Sequence, residues 1–509
     1  IAYAGVGGLG LPDRDYYVKP DQRFLDARAG YLKHMARIFQ LAGSPTAEAT
    51  AEARQVMTFE TALAKASLDN VALRDPTATD HKMGFEELEK LTPDFDWRAL
   101  YKFLDVKPAP LNVEQPEFLK EVERQLTATP ISDWKTYLRW RVLDNFAPNL
   151  SQPFVETNFE FFQKQLAGVG ELKPRPIRCS EQTDNLLGEA LGREYVKRYF
   201  PPEAKERARA LVKNIVAAMN DSIQALDWMT PETKQKALEK LKSLDVKVGY
   251  PDKWKDYQGV VMKRDDYFGD VLAGLRFGVK DNMSTIGKPV DRTRWGMTPP
   301  TSDAYYNPLM NEIVFPAGIL QPPAFGLHAT DAVNYGAIGV VIGHEISHGF
   351  DDEGAQFDAQ GRLRNWWQPE DENKFHAKTA CVAKQFDGYS IDGDDNIHIN
   401  GKLTLGESIG DLGGLKISYL AFQKTAEAKA GVKVDGFTPD QQFFIAWGQF
   451  RGDETRTETQ KLMVQGDPHP VAKYRVIGPT SNFAPFFEAF QCKPGSNMVR
   501  PQDVRCVVW

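Results

Sequence analysis

The sequence predicts a mainly α chain with a smaller α+β part. Two observations lead there. Eight segments of the first half, 21–42, 46–67, 115–127, 132–145, 151–168, 181–199, 203–227 and 231–244, carry apolar residues at helical spacing. After about residue 245 the texture changes: strand-like runs, turns and prolines enter at Val246–Tyr250, Pro289–Pro300 and Asn311–Leu320, and helices then alternate with loops to the end.

Taken in order, the first feature is Gly5-Val6-Gly7-Gly8-Leu9-Gly10, which satisfies G-x-G-x-x-G. A dinucleotide site needs a helix directly after the glycines, and here Leu11-Pro12-Asp13 follows, so a loop is expected. The helical segments come next. Pro201-Pro202 opens the run at 203, and Thr230-Pro231-Glu232 reads as N-cap, first helical residue and acidic first turn. A boundary near 262 separates a mainly helical lobe, 1–262, from residues 263–509.

The 509 residues are enough for two or three units with real cores. Lys+Arg 62 against Asp+Glu 69 leaves −7, so no basic surface advertises nucleic acid and no such partner is expected. No apolar run approaches the ~18 residues of a membrane span. Four cysteines do not make a disulfide scaffold. The start, Ile1-Ala2-Tyr3-Ala4, has neither Met nor a basic-then-apolar leader and reads as a chain entered mid-protein, so an upstream signal or anchor is compatible with it.

The chemistry concentrates in Gly343-His344-Glu345-Ile346-Ser347-His348-Gly349-Phe350-Asp351-Asp352. Histidines at i and i+4 share one helix face, so both imidazoles reach one ion. Glu345 is offset on that face, where it can touch a metal-held water without binding the metal, as a general base should. With only 8 His, such a motif arises by chance in roughly one chain of this kind in a hundred. Gly336, Ala337, Gly339 and Gly343 alternate with large aliphatics just upstream, the texture of a buried, closely packed helix.

A catalytic zinc takes three protein ligands. Glu407 and Asp411, i and i+4 in Gly406-Glu407-Ser408-Ile409-Gly410-Asp411, share a face of a second predicted helix. Glu407 suits the third ligand and Asp411 a hydrogen-bond acceptor for a ligand imidazole. In Asp467-Pro468-His469-Pro470 the Asp can orient or charge His469 as a donor to a developing oxyanion. Arg475 is suited equally to a substrate carbonyl and to a salt bridge. Asp303–Pro308 and Asn311–Leu320 read as two short strands joined by a turn, and an edge strand beside a zinc helix can hold a peptide by backbone hydrogen bonds.

These blocks, with Leu9-Gly10-Leu11-Pro12-Asp13-Arg14-Asp15-Tyr16-Tyr17, Ala304-Tyr305-Tyr306-Asn307, Ile313–Pro323, Tyr474-Arg475-Val476-Ile477-Gly478 and Cys506-x-x-Trp509, resemble the neprilysin and endothelin-converting-enzyme family of zinc metallopeptidases, of the gluzincin type. The ordered set spans nearly the whole chain. The resemblance implies a bilobal enzyme: a helical lobe facing a thermolysin-like catalytic lobe, residues 263–509, with a cavity that admits peptides. It implies one Zn2+ per chain held by His344, His348 and Glu407, with Glu345 as base, Asp411 orienting a ligand histidine, His469 stabilising the oxyanion with Asp467 behind it, and Arg475 on a substrate carbonyl. Cleavage on the amino side of hydrophobic residues is implied, with Ile319, Val341 and Phe450 falling where that pocket would be lined, and Asp303 and Ala304 on the substrate-binding strand.

Asp303 departs from the Asn that the family usually carries there; an ionised Asp only accepts hydrogen bonds. Family ectodomains also have well over a hundred residues before the Leu9-Gly10-Leu11-Pro12 block, so an N-terminal truncation is expected. Cys381 and Cys506 match a pair bridged in the family, while Cys179 and Cys492 match positions whose partners lie in that upstream region. A disulfide favours an extracytoplasmic setting, and a monomer acting on peptides is expected. Two alternatives stay open: another gluzincin such as an aminopeptidase, and a non-catalytic peptide-binding fragment.

Overall fold

The computed structural model describes residues 2–509. They form two compact units, one of residues up to Gln182 with Tyr257–Asp291, the other of Thr183–Asp256 with Arg292–Trp509. The division is discontinuous in sequence, with Thr183–Asp256 lying between the two stretches of the first unit. The reason is pairing. The strand Asp245–Gly249 lies parallel to Glu312–Pro316, Asp245 opposite Glu312, which commits the helices before it to the second unit.

The fold is mostly helical, and the helices follow the predicted segments closely. The first unit holds Gln22–Leu41, Thr46–Lys65, Pro116–Ala128, Ile131–Phe146 and Gln152–Asn158, the last continuing as a π-helix over Phe159–Leu166. Its core is aromatic: Tyr31 and Trp140 are fully buried, and the Trp140 indole donates to the Tyr31 hydroxyl at 3.0 Å. The glycine-rich loop follows the short strand Ala2–Ala4, which pairs with Leu111–Val113. Tyrosines pin it: the Tyr137 hydroxyl donates to Gly8 O, and the amides of Gly10 and Leu11 donate to Tyr17 Oη. The Tyr17 hydroxyl in turn donates to Glu60 at 2.7 Å, and Tyr31 donates to the same fully buried carboxyl. Burial raises Glu60 to about 7.

In the second unit, Pro202–Ala225 and Pro231–Lys242 precede the sheet. Thr230 stands at the N-cap as predicted, but its hydroxyl caps no backbone amide of the helix: hydroxyl and amide both donate to Asp371. The sheet has three strands, with Glu312–Pro316 central and wholly buried and Tyr305–Asn307 antiparallel at the edge. Residues 289–300 form turns, not a strand; Pro289, Pro299 and Pro300 offer no amide to a ladder. Four helices then build the site: Val340–His348, entered through a π-turn at Tyr335–Gly339, then Leu405–Phe422, Pro439–Phe450 and Ala472–Thr480. Cys381, on the helix Pro369–Asp387, is disulfide-bonded to Cys506, while Cys492 is a free thiol. No helix among the described residues is long and apolar enough to cross a membrane.

Candidate metal centre

Two helices carry the site, and glycine sets their spacing. A Cβ on Gly343 would lie 2.8 Å from the Cα of Gly414, and one on Gly410 would lie 2.7 Å from the His344 ring. Each helical glycine costs about 1 kcal/mol of propensity, and burial of side chains such as Ile342, Ile409 and Ile417 offsets it at ~1.5–3 kcal/mol each. The result is that Val340–His348 and Leu405–Phe422 meet almost backbone to backbone, with Glu407 and Asp411 against His344.

His344 Nε2 and His348 Nε2 stand 2.9 Å apart. Glu407 Oε2 is 3.1 Å from the first, and Glu407 Oε1 is 3.5 Å from the second. The far side of each ring faces a carboxylate: His344 Nδ1 lies 2.9 Å from Asp411 Oδ1, and His348 Nδ1 lies 2.6 Å from Asp351 Oδ2. With the ring protons on Nδ1, both Nε2 lone pairs and the Glu407 carboxylate converge on one point. A tetrahedral ion with bonds of about 2.0–2.2 Å separates its ligand atoms by roughly 3.3 Å. The three side chains therefore fit a metal ion, and they are the set among the described residues whose donor atoms cluster closely enough to hold one.

Negative charge gathers on the histidines, and a cation at the shared point would take the place of the imidazole protons it favours. Burial favours neutral Glu407, but His348 and His344 outweigh it and hold its carboxyl well below the usual range. Burial likewise opposes charge on His348, yet Glu407 and the Asp351 hydrogen bond raise it to about 10. Glu345 is raised, first by burial, with Glu407 and Asp303 adding to it against the two histidines. Buried Asp411 is lowered because Arg475 and His344 overcome desolvation.

Arg475 grips Asp411 at two points, Nε to Oδ2 at 2.8 Å and Nη2 to Oδ1 at 2.9 Å, and also reaches Glu407 at 3.3 Å. His469 Nε2 lies 3.2 Å from Glu407 Oε2, a carboxylate oxygen that can only accept, while its Nδ1 sits 2.7 Å from Asp467 Oδ1. Despite the cost of burial, Asp467 and Glu407 raise the imidazole.

These groups open onto a cavity of about 410 Å³, within the range of small-ligand sites. Asp303, Ala304, Ile319, Val341, His344, Glu345, His348, Glu407, Phe450, His469 and Arg475 all line it. Asp411 is fully buried behind the histidines, and Asp467 stands behind His469. The Asp303 carboxylate caps the Ala304 amide at 2.9 Å. Three further residues escaped the sequence reading. Asp351 was visible as an acid at i+3 from His348. Arg451 lines the cavity beside Phe450 with no motif to mark it. Lys240, fully buried, donates to the carbonyls of Gly354 and Phe357 at 2.6 and 2.7 Å and so ties down the loop after Asp351. Burial lowers it to about 7 against the pull of Asp351 and Asp358.

Comparison with known proteins decides the family. Residues 1–251 match the N-terminal model of peptidase family M13, and residues 303–506 match the family's second model. The chain belongs to peptidase family M13. It is 34% identical over 522 residues to human endothelin-converting enzyme 1, covering 99% of this chain and 66% of the relative. It is 33% identical over 528 residues to Neprilysin-3 of Drosophila melanogaster, again covering 99% and 66%. The M13 chain thus spans about two thirds of the length of these curated relatives. In structure it is similar to the zinc metalloprotease Zmp1 of Mycobacterium tuberculosis in complex with inhibitor, with TM-score 0.94, 38% identity and coverage of 100% of this chain and 78% of that one. PepO from Lactobacillus rhamnosis aligns with TM-score 0.91 at 29% identity, covering 100% and 79%.

Proposed function

We propose that this M13 chain is a zinc-dependent endopeptidase of short peptides, cutting on the amino side of hydrophobic residues. The observation that carries the reading is the convergence of His344 Nε2, His348 Nε2 and Glu407 on one point at the wall of a cavity. Two imidazoles and a carboxylate are a donor set that catalytic zinc takes, and bound zinc supplies Lewis-acid polarisation and an acidified water.

The side chains of this chain have the following parts. Glu345 takes the proton from the attacking water and delivers it to the leaving amine; its raised carboxyl is suited to both. Asp411 fixes the tautomer of His344, and Asp351 that of His348. His469, its imidazole biased toward the charged form by Asp467, donates to the oxyanion that forms on the scissile carbonyl. Arg475 braces Asp411 and binds a substrate carbonyl from the cavity wall. The edge strand Tyr305–Asn307, with Asp303 and Ala304 before it, takes the peptide backbone by strand addition. Ile319, Val341 and Phe450 receive the hydrophobic side chain. The Cys381–Cys506 bond supports an extracytoplasmic setting, and the chain acts as a monomer.

The test is zinc stoichiometry with cleavage of an internally quenched peptide, for the chain and for Glu345→Ala. One zinc per chain in both, with cleavage abolished in the variant, is expected. Zinc in both without cleavage in either would overturn the enzymatic reading in favour of a peptide-binding role. Absence of bound zinc would overturn the metal site itself.

A further inference from the structure

Arg451 follows the last residue of the helix Pro439–Phe450 and lines the same cavity as Glu407, His469 and Arg475. The two arginines differ in one respect. Arg475 is neutralised by Asp411 and Glu407. Arg451 has no ion-pair partner among the described residues, and its Nε is shut away from solvent without a hydrogen-bond acceptor. Aromatic faces hold it in place: its guanidinium carbon is 5.1 Å from the ring of fully buried Trp447 and 5.1 Å from that of Phe450.

An unpaired, partly desolvated guanidinium is costly unless an anion meets it. Cation–π contacts lower that cost without supplying a hydrogen-bond acceptor. The nearby carboxylates do not serve: Glu407 is held by the imidazoles, Asp411 by Arg475, and Asp453 acts on Arg451 through space without forming an ion pair. Arg475 adds a like charge that disfavours a second cation, and burial with that charge lowers Arg451 to about 10, so it stays cationic at neutral pH. What is missing is a planar acceptor pair, and a carboxylate matches the guanidinium fork.

We propose that Arg451 is a specificity-determining residue that selects peptides carrying a carboxylate on, or next to, the residue that enters beside Phe450. The proposal rests on the peptidase reading above. The carboxylate comes from an acidic side chain or from a free C-terminus, and the chemistry at Arg451 is the same for both.

Three quenched peptides test it, alike in the hydrophobic residue after the scissile bond: one neutral and amidated, one with Glu in place of Gln at the following position, and one ending there in a free carboxylate. At least one carboxylate peptide is expected to show kcat/KM about tenfold above the neutral one, mainly through KM, as a charge-assisted hydrogen bond would give. Which one responds identifies the source. In Arg451→Met the ratio falls to about one, and Arg451→Lys, which keeps the charge without the fork, gives an intermediate ratio. Equal kcat/KM for all three peptides in the unaltered chain, or a ratio that survives in Arg451→Met, would overturn the proposal. Should no peptide be cut, the endopeptidase reading fails separately. Fluorescence anisotropy with the same labelled peptides then reads the preference, and equal affinities would overturn it.

Discussion

Gly414 occupies the space that a Cβ on Gly343 would need, the two helices of the candidate metal centre meeting within 2.8 Å of that position. The contact fixes how closely Glu407 approaches the histidines. In Gly414→Ala the new Cβ would meet Val340 O at 2.4 Å and His344 N at 2.7 Å, both backbone atoms that cannot swing aside. Separation of the helices is expected to weaken metal affinity by about tenfold or more, measured by competition with a chromogenic chelator. Unchanged affinity would show that the glycine contact does not set the site.

Lys240→Met removes the donor to Gly354 O and Phe357 O and leaves both carbonyls buried. A loss of about 2–4 kcal/mol is expected in denaturant titration. Because the anchored loop follows Asp351, metal affinity falls as well. Lys247→Met, which breaks the buried 2.7 Å pair with Glu312 in the same unit, serves as comparison. It is expected to lose similar stability while keeping metal affinity, so an equal effect of both variants on the metal would refute a specific role for Lys240.

Glu60 gives the first unit a pH dependence. Its folded value, about 7, lies above the ordinary carboxyl, so the native state binds the extra proton. Stability from this group is fully present below about pH 4.5 and is lost as pH rises to about 7. Tyr17, Tyr31 and Arg141 favour the charged form, Asp144 opposes it, and burial outweighs them. Glu60→Gln is expected to gain about 2–3 kcal/mol on the unaltered chain between pH 5 and pH 8. A difference between the two proteins that stays flat across that range would count against it.

Asp303→Asn places a donor before the edge strand proposed to take substrate and removes a negative charge that raises Glu345. KM is expected to fall several-fold with zinc content unchanged, and the acid limb of the rate profile moves to lower pH. An unaltered KM would refute the first expectation, and an unmoved acid limb the second.

The sequence made the helices legible because amphipathic periodicity is a local property. His344, His348, Glu407 and Asp411 were legible because each pair sits one helical turn apart. Arg475 was ambiguous in sequence. The fold joins it to Asp411, 64 residues earlier, and no local pattern encodes that pairing. Lys240 and Arg451 were hidden for the same reason: one is buried against carbonyls 114 and 117 residues away, the other is notable for the partner it lacks. Which unit a helix joins was not legible, because hydrophobic pattern reports where a helix is, not which strand it will lie beside.

The discontinuous second unit bears on synthesis at the ribosome. Strand Asp245–Gly249 emerges 67 residues ahead of the strand that pairs with it, several seconds at about 5–20 residues per second. Throughout that delay Leu211, Ile215 and Met219, all destined for the core, are without their partners from the later segment, and a chaperone has its opportunity. The first unit waits only for Tyr257–Asp291. Asp411 cannot be braced until Arg475 has been translated, so a nascent chain that stalls before Arg475 carries His344, His348 and Glu407 beside an unbraced Asp411.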